Sequence, residues 1–545
     1  MRKTPLLLLL SAFLTACPSA SLPVVVEAPR AYVPRAIGAA DTTVTLKGLN
    51  FNVKSASVGG KPASILEQTS TSLKLKLENP LGVGDFRLEL TNTDGKTFSS
   101  DNGINVVASS LLSGEIDQEK LVLTLKSSPS ARVKGLLEAA GFVLERELAP
   151  LVSGGTGICS QVIVTLKDSR AANRTVEEAL NALAELLGPE LNQGEFEPNP
   201  FVIERGPDAS STSSGESRFT PRAVAVAPDY SKLNLQVAVL DTGVSNHSAF
   251  RYSDGTRIPE NVVNFAAGRN FTLEGSGLSD VTDLRTGYPV ADSGTSNVGH
   301  GTAVAAAIAA PVPSNQIGLP GVAPKVSILP VKVCDRGGNC GTPSLVAGIC
   351  YAASLSSATV KPVKVLNFSI GGRTPNRLLY QALKDAAERG ISVVVSAGNK
   401  ALSGNPTIFP AAYANNYSSS YPAIPGLIVV GSISPNDGPS LPSFPSVFSS
   451  YGPWVSVSTE GEYVYLPNSS DLDAKNTYGY FTGTSFAAPL VAGMVVKIMQ
   501  QRPTWSPAEI KKFLVDTANP VPNCPDNRCG AGQVNFYYLP NSILL

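Results

Sequence analysis

The sequence predicts a chain of several domains whose largest part is an α/β domain with a parallel sheet flanked by helices. Its 545 residues are enough for about three or four domains. From residue 223 onward, short apolar runs without alternation are separated by segments with helical spacing, which is typical of buried parallel strands joined by helices. Residues 31–108 instead alternate with period two, and residues 112–205 mix the two patterns. We therefore expect an all-β module and a small α+β domain before the α/β domain.

The charge balance excludes one class of partner. Lys and Arg number 43 and Asp and Glu number 43, so the net charge is zero. Proteins that bind nucleic acid carry a basic excess, so we expect no nucleic-acid partner. The 48 glycines and 42 prolines favour a loop-rich globular chain over a disordered one.

The N-terminus is typical of an export signal. A short positive region precedes an apolar run at 6–14 that is too short to span a bilayer. The tetrapeptide at 14–17, Leu-Thr-Ala-Cys, resembles a bacterial lipoprotein signal. The resemblance implies a signal peptide at 1–16 and a lipid on Cys17 that anchors an exported, extracytoplasmic protein to a bacterial membrane or cell surface, with 17–30 as a tether. An ordinary secretory signal with an incidental cysteine is the alternative.

The all-β module is predicted at 31–108, as a small sandwich. Runs at 43–47 and 72–77 alternate apolar and polar residues with period two. The run at 46–51, followed by the turn sequence at 91–95, resembles the immunoglobulin-like module of receptors and secreted bacterial proteins. The resemblance implies either a spacer or a binding module.

Residues 112–205 predict a small α+β domain in the order βαββαβ, which is the split ferredoxin-like motif. Its best-marked element is a helix that begins with a capping box of Thr175 and Glu178 and ends at Gly188. Residues 206–222 are rich in Ser and Gly, which predicts a flexible linker.

The α/β domain, 223–545, begins after this linker. Its helical segments include 344–353 and 377–389. The apolar runs predict strands at 235–240, 326–333, 363–368, 391–395 and 427–431.

Three motifs of this domain contain residues suited to nucleophilic catalysis, in the chain order Asp, His, Ser. Asp241 ends a buried strand, and His300 lies between glycines at the start of an Ala-rich helix. Ser485 begins a helix in which Pro489 is tolerated only near the start, and a helix N-terminus favours negative charge that develops there. Each residue alone also fits an ordinary role, as a strand-end acid, a structural histidine or a helix cap. The other histidine, His247, is interpreted as structural.

Taken together and in this order, the motifs resemble the signatures of the subtilisin family over about 223–536. The stretches 367–372, 393–399 and 530–535 also match family motifs. The resemblance implies a subtilisin-like fold and a secreted serine endopeptidase that hydrolyses peptide bonds of polypeptide substrates through an acyl-enzyme intermediate.

The resemblance also implies a role for each site residue. Ser485 is the nucleophile, His300 its general base, and Asp241 the group that orients and stabilises the imidazole. The Asn399 side chain and the Ser485 backbone N–H form the oxyanion hole.

Substrate binding is implied for Ser369, Ile370 and Gly371, which resemble the stretch that pairs with the substrate backbone and walls the P1 pocket. Ile370 and its small neighbours indicate an apolar, permissive pocket. Lys400 departs from the family pattern, and its charge at the pocket rim leads to the hypothesis that acidic P1 residues are attracted.

The position of 112–205 directly before this domain resembles that of a subtilisin pro-domain, and 196–199 resembles the end of one. The resemblance implies an inhibitory, folding-assisting pro-domain that the catalytic domain binds and then cuts away within 206–222. Calcium sites are common in the family, so the resemblance allows a structural calcium ion. No Asp-rich loop identifies such a site, and no metal ligand is assigned.

Seven cysteines are present, and six remain once Cys17 is set aside. Export favours disulfides. Cys334 and Cys340 flank one short loop, and Cys524 and Cys529 flank another, so both look like locally closed loops. Sequence cannot fix the connectivity. A zinc site is the alternative, although no histidine neighbours these cysteines.

Two other functions remain open at this point. One is a catalytically inactive scaffold that acts as a surface binding protein. The other is an esterase or another acyl-transfer enzyme with the same triad, against which the backbone-pairing stretch at 369–371 favours peptides.

Overall fold

Three units follow one another along the chain in a computed structural model of the protein: an all-β unit, an α+β unit and an α/β unit. The predicted signal peptide, Cys17, most of the predicted tether and the predicted linker at 206–222 lie outside the described residues. The structure describes residues 28–33, 35–107, 116–152, 157–187, 195–202, 230–252, 260–272, 277–283, 299–311, 320–335, 337–418, 420–434, 444–468, 477–522, 524–525 and 527–536.

The all-β unit is one eight-stranded arrangement in the order β1-β3-β6-β5-β4-β7-β8-β2. Period-two alternation places one face inward, as on β3, where Val44 and Leu46 are buried between exposed or half-buried neighbours. The all-β prediction for this part of the chain is confirmed. Its strands are β1 (Arg30–Ala31), β2 (Arg35–Gly38), β3 (Thr43–Leu49), β4 (Val53–Val58), β5 (Lys61–Gln68), β6 (Ser72–Lys76), β7 (Gly84–Asn92) and β8 (Thr97–Val107).

The α+β unit has the predicted element order βαββαβ. Its four strands pair in the order β10-β11-β9-β12. The predicted capping box is present, since Glu178 N donates to Thr175 Oγ1 at 3.2 Å and Thr175 N donates to Glu178 Oε2 at 2.8 Å. The elements are β9 (Ile116–Leu125), α1 (Ala131–Ala139), β10 (Phe142–Leu148), β11 (Val162–Asp168), α2 (Val176–Leu187) and β12 (Glu195–Val202).

The α/β unit contains a mostly parallel sheet in the order β16-β17-β13-β19-β20-β21-β22, with β23 also paired to β21. The five predicted strands and both predicted helices are confirmed, with shifts of up to three residues at their ends. The elements are β13 (Gln236–Asp241), β14 (Arg251–Tyr252), β15 (Glu260–Asn261), β16 (Arg269–Asn270), α3 (His300–Ala309), β17 (Ser327–Lys332), β18 (Cys340–Gly341), α4 (Thr342–Ser354), β19 (Val363–Phe368), α5 (Arg377–Glu388), β20 (Ser392–Ser396), β21 (Ile428–Ser434), β22 (Phe444–Pro445), β23 (Val457–Glu460), β24 (Val464–Asn468), β25 (Thr477–Phe481), α6 (Thr484–Gln501) and α7 (Pro507–Asp516).

The sheet of the α/β unit is buried on both faces, which explains the absence of alternation in its strands. On β13, Val237 and Val239 join the apolar core that contains α3 and α6. Ala238 and Leu240, which point to the opposite face, join the core that contains α4 and α5. The carboxyl ends of the parallel strands therefore lie together between two helical layers, where ligand sites of such sheets form.

The all-β unit contacts both other units through polar side chains. Arg35 forms an ion pair with Glu185 of α2 at 2.6 Å, and Asn181 hydrogen-bonds the backbone N–H and carbonyl of Ala36 at 2.8 and 2.9 Å. On the other side, the Tyr421 hydroxyl of the α/β unit donates to the buried Asp85 carboxylate. These contacts join the three units into one arrangement.

The α+β unit docks on α4 and α5. Ile158 and Ile163 belong to the same apolar core as these helices. Strand β12 continues past its own sheet and pairs antiparallel with β18, in the register Phe201 to Gly341. The short strand β18 is thus an edge of the α/β unit that accepts a neighbouring strand.

Three disulfides connect the six cysteines. The locally closed loops Cys334–Cys340 and Cys524–Cys529 are confirmed. The third disulfide joins Cys159 of the α+β unit to Cys350 on α4, across 191 residues of sequence. A bridge that closes so long a loop restricts the unfolded chain more than a short-loop bridge does.

Candidate active site

Asp241 ends β13, so its carboxylate lies at the carboxyl edge of the sheet, where it is 1% exposed. Its Oδ1 accepts from the Thr242 backbone N–H at 2.7 Å and from His300 Nδ1 at 2.8 Å. Because the carboxylate accepts at this position, the imidazole carries its proton on Nδ1 and leaves Nε2 as an acceptor. This is the state in which a histidine can take a proton from a hydroxyl.

His300 is the first residue of α3, and glycines on either side allow that position. Gly299, at the helix N-cap, has a φ of 83°, a left-handed conformation that glycine adopts without strain. A Cβ at Gly301 would clash with the Gly243 carbonyl oxygen, so only glycine lets the helix approach the loop after β13 so closely. The imidazole ring lies 5.1 Å from the ring of Phe486, the residue after Ser485.

Ser485 is the second residue of α6 and is 3% exposed. Pro489 has no N–H, so it cannot make the helical hydrogen bond to the Ser485 carbonyl. The Ser369 hydroxyl donates to that carbonyl instead, at 2.8 Å, and the Ser485 hydroxyl lies 3.3 Å from the Ser369 carbonyl. Because Pro489 gives the Ser485 carbonyl no helical partner, this carbonyl accepts the bond from Ser369, which links the start of α6 to the end of β19.

Asn399 follows β20, and its side-chain oxygen and nitrogen differ in their hydrogen bonding. Its Oδ1 accepts from the Thr484 backbone N–H at 2.9 Å and from the Thr484 hydroxyl at 2.8 Å. Its Nδ2 is buried and has no hydrogen-bond partner among the described residues. A buried N–H donor left unpaired costs stability, so its presence beside the start of α6 marks a position where an acceptor is expected to bind.

The stretch Ser369, Ile370 and Gly371 follows directly after β19, and all three residues are buried. The Asn367 side chain donates to the Ser369 hydroxyl at 3.0 Å and so orients it toward α6. Lys400, next to Asn399, is half-buried, and its backbone N–H donates to Ser450 at 2.9 Å. The structure thus brings every sequence-predicted residue of the α/β unit to the same edge of the sheet, whereas Cys17 lies outside the described residues.

Asp283, a buried acid close to Asp241, is not among the residues predicted from the sequence. Its Oδ2 accepts from the Thr302 backbone N–H at 3.1 Å and from the Thr302 hydroxyl at 2.9 Å, which holds the first turn of α3 in place. Burial raises the pKa of Asp283, and the nearby Asp241 charge raises it further. Asp283 stands in none of the recognised motifs, so its sequence carried no signal for this position.

His247 lies apart from this arrangement. Its Nδ1 accepts from the Ala249 backbone N–H at 3.0 Å, and its ring packs edge-on against Tyr478 at 5.3 Å. Within the described parts of the chain, no group of three or more His, Cys, Asp and Glu side chains is arranged to hold a metal ion. No helix in the same parts is long and apolar enough to cross a membrane.

Comparison with known proteins agrees with this geometry. The sequence profile of the Subtilase family matches residues 233–532. The chain is 29% identical to M-protease of Shouchella clausii (strain KSM-K16) over 363 residues, covering 66% of this chain and 79% of that protein. It is 30% identical to subtilisin Savinase of Lederbergia lenta over 302 residues, covering 55% and 88%.

A third relative is named extracellular protease, from Xanthomonas campestris pv. campestris, with 29% identity over 326 residues, 55% of this chain and 50% of that protein. The fold is similar to the crystal structure of fervidolysin from Fervidobacterium pennivorans, a keratinolytic enzyme related to subtilisin. The TM-score is 0.54 and the identity 24%, over 78% of this chain and 61% of that one. These comparisons do not favour the inactive scaffold. The chain belongs to the subtilase family and is a serine endopeptidase.

Proposed function

We propose that the enzyme hydrolyses peptide bonds with Ser485 as nucleophile, His300 as general base and Asp241 as the group that holds the imidazole. The observation that carries the proposal is the 2.8 Å hydrogen bond between His300 Nδ1 and the buried Asp241 carboxylate. This bond leaves His300 Nε2 as the proton acceptor. Since a serine hydroxyl is a poor nucleophile at neutral pH, it needs such a base beside it.

In the proposed first step, Ser485 Oγ attacks the scissile carbonyl carbon while its proton passes to His300 Nε2. The carbonyl oxygen becomes an oxyanion, and the new imidazolium faces the Asp241 charge. Collapse of this intermediate expels the amine, which takes the proton from His300 and leaves an acyl-enzyme on Ser485. Water repeats the sequence and releases the acid, which restores the hydroxyl.

The oxyanion requires hydrogen-bond donors that are already in place. Asn399 Nδ2 is proposed as one donor because it is buried and unpaired among the described residues, while its Oδ1 is fixed by Thr484. The Ser485 backbone N–H, at the start of α6, is proposed as the other. The positive end of the α6 dipole adds to the stabilisation of negative charge at this point.

Peptide rather than simple ester substrates are proposed because two backbone stretches are candidates for pairing with a substrate strand. One is the stretch from Ser369 to Gly371 that follows β19, and the other is β18, which pairs with β12 in the structure. A peptide backbone pairs with such edges, whereas a small ester has no backbone to pair. Comparing the turnover of an extended peptide with that of a simple ester tests this choice, and equal specificity constants would favour the esterase alternative.

The protein is further proposed to be made as an exported lipoprotein precursor. Residues 1–16 act as the signal peptide, Cys17 carries the lipid, 17–30 form a tether and 31–108 an immunoglobulin-like spacer. The relative named extracellular protease supports an extracytoplasmic location. Several acyl chains on one cysteine anchor a protein stably, as a single chain does not.

Residues 112–205 are proposed to act as the pro-domain, with the linker at 206–222 as the segment that the enzyme cuts in itself. The pairing of β12 with β18 supports this, because the end of the α+β unit then lies along an edge strand of the catalytic unit. That position is the one a substrate strand would use.

The testing experiment compares the masses of soluble forms that begin at Pro18, measured after denaturation and reduction of the disulfides. The parent sequence is expected to split within about 205–225, while Ser485→Ala stays whole. Ser403→Ala, which removes an exposed hydroxyl elsewhere in the unit, should split like the parent. If the parent stays whole and also fails to cleave an added peptide, the proposed triad is wrong.

A further inference from the structure

The disulfide between Cys159 and Cys350 crosses the boundary that processing would create. Cys159 lies in a short turn of the α+β unit, and Cys350 lies on α4 of the catalytic unit. The linker at 206–222 falls between these two positions in the sequence. A cut in the linker therefore leaves the two halves covalently joined.

The residues around this bridge form a closely packed, buried interface between the two units. Cys159 and Cys350 are 2% and 1% exposed, and Ile158 packs in the same apolar core. The carboxylate of Asp385 on α5 lies against this turn. A Cβ at Gly157 would clash with that carboxylate, so glycine is required for the turn to approach α5.

A second contact is formed by the end of β12, which pairs with β18 at Val202 and Cys340. Cys340 is itself held by its disulfide with Cys334, which closes the loop that carries β18. The α+β unit is thus attached to the catalytic unit through apolar packing, strand pairing and one covalent bond.

We propose that the processed enzyme is a two-chain, disulfide-linked protein in which the α+β unit stays docked as a permanent partner of the catalytic unit. The inference rests on the proposed function, since it concerns the same linker and the same pro-domain. A tethered partner experiences a high effective concentration and rebinds after each opening, whereas an untethered one is lost on dilution. The edge strand β18 therefore stays occupied much longer than it would after a cut that freed the pro-domain.

Release of the unit then requires reduction of the bridge, for example by a dithiol. One thiolate of the reductant attacks a sulfur of the Cys159–Cys350 bridge, and the other sulfur leaves as a thiolate. The second thiol of the reductant resolves the mixed disulfide, so both cysteines end as thiols and the reductant ends as a disulfide. Because both sulfurs are buried, the interface has to open before this exchange occurs.

The test separates the bridge from self-cleavage. The full soluble chain carries Ser485→Ala and a site for a specific protease within 206–222, and that protease makes the cut. Under denaturing, non-reducing conditions one species with the mass of both fragments is expected, and a reductant should give two. Cys159→Ser with Cys350→Ser should give two fragments without reductant, whereas Cys524→Ser with Cys529→Ser should stay linked. Separate fragments from the Ser485→Ala chain without reductant would overturn the proposal.

A second arm uses the active enzyme at nanomolar concentration. After the cut, made by the enzyme itself or by the added protease, the parent is expected to cleave a peptide at least about tenfold more slowly than the Cys159→Ser, Cys350→Ser form. A dithiol reductant should remove most of that difference. Equal rates at every dilution would overturn the docked state. Failure of self-cleavage alone would overturn the proposed processing and leave the bridge to be decided by the first arm.

Discussion

Ser369 and Ser485 hydrogen-bond each other in both directions. The Ser369 hydroxyl donates to the Ser485 carbonyl at 2.8 Å, and the Ser485 hydroxyl donates to the Ser369 carbonyl at 3.3 Å. The first bond exists because Pro489 supplies no helical N–H to that carbonyl. Ser369, which is proposed to begin the substrate-binding stretch, thus positions Ser485, the proposed nucleophile.

This relationship predicts that Ser369→Ala weakens both structure and activity. The substitution leaves the Ser485 carbonyl unpaired in a buried site, which costs about 1–3 kcal/mol of unfolding free energy. Thermal unfolding in the Ser485→Ala background, which cannot digest itself, measures the loss. In the active background we expect kcat to fall about tenfold, since a barrier increase of about 1.4 kcal/mol has that effect. Ser403→Ala is the matched control, and unchanged values for Ser369→Ala would contradict the positioning role.

Asn399→Asp tests the proposed oxyanion donor. Aspartate keeps an acceptor for Thr484 but has no Nδ2, so folding should be retained while the donor is lost. We expect kcat to fall by about 10²–10³ with little change in KM; the corresponding cost of about 2.7–4 kcal/mol is a figure known from subtilisin itself. A kcat close to that of the parent would show that the amide donor is not used.

Lys400 is predicted to favour acidic residues at the P1 position of the substrate. Peptides that differ only in Glu or Lys at P1 should differ in kcat/KM in favour of Glu, and Lys400→Ala should reduce the difference. Added salt should also reduce this difference in kcat/KM, because salt screens an attraction between partly exposed charges. Equal cleavage of the two peptides by the parent enzyme would remove this hypothesis.

Asp85 predicts a pH dependence of stability. Burial raises the pKa of Asp85 above its ordinary value of 3.8, so the folded protein binds this proton more tightly than the unfolded chain does. The carboxyl therefore contributes most stability at low pH, and that contribution is lost as pH rises through the folded pKa. Asp85→Asn cannot ionise. The thermal midpoint of this variant, relative to that of the parent, should therefore rise as the pH is raised from about 4 to about 8.

The measurement uses thermal unfolding in the Ser485→Ala background across this pH range. Asp94→Asn, in an exposed turn of the same unit, is the control and should follow the parent at every pH. Parallel curves for Asp85→Asn and the parent would show that Asp85 does not titrate with folding.

The sequence predicted the elements of the α/β and α+β units well because buried parallel strands and capped helices leave local signals. The run at 235–240 and the box of Thr175 and Glu178 are of this kind. The motifs also marked Asp241, His300 and Ser485, since glycine neighbours and helix starts are visible in sequence. Their distances, by contrast, depend on how separate strands and helices meet.

Features that arise only from docking leave no local signal in the sequence. The Cys159–Cys350 bridge joins two units across 191 residues, and nothing near either cysteine indicates its partner. Asp283 accepts hydrogen bonds from the first turn of α3, although it lies in a segment with no motif. The pairing of β12 with β18 depends on the placement of the entire α+β unit. Such contacts follow from packing that no local pattern encodes.

The bridge from Cys159 to Cys350 also decides where catalysis can take place. If Cys17 carries the lipid and the linker is cut, the anchor and the active site belong to different polypeptides. The catalytic chain is then joined to the anchored chain through one pair of sulfur atoms and the contacts around them. Whether this protease works on nearby surface proteins or diffuses to distant ones would be set by the reducing power of the surroundings.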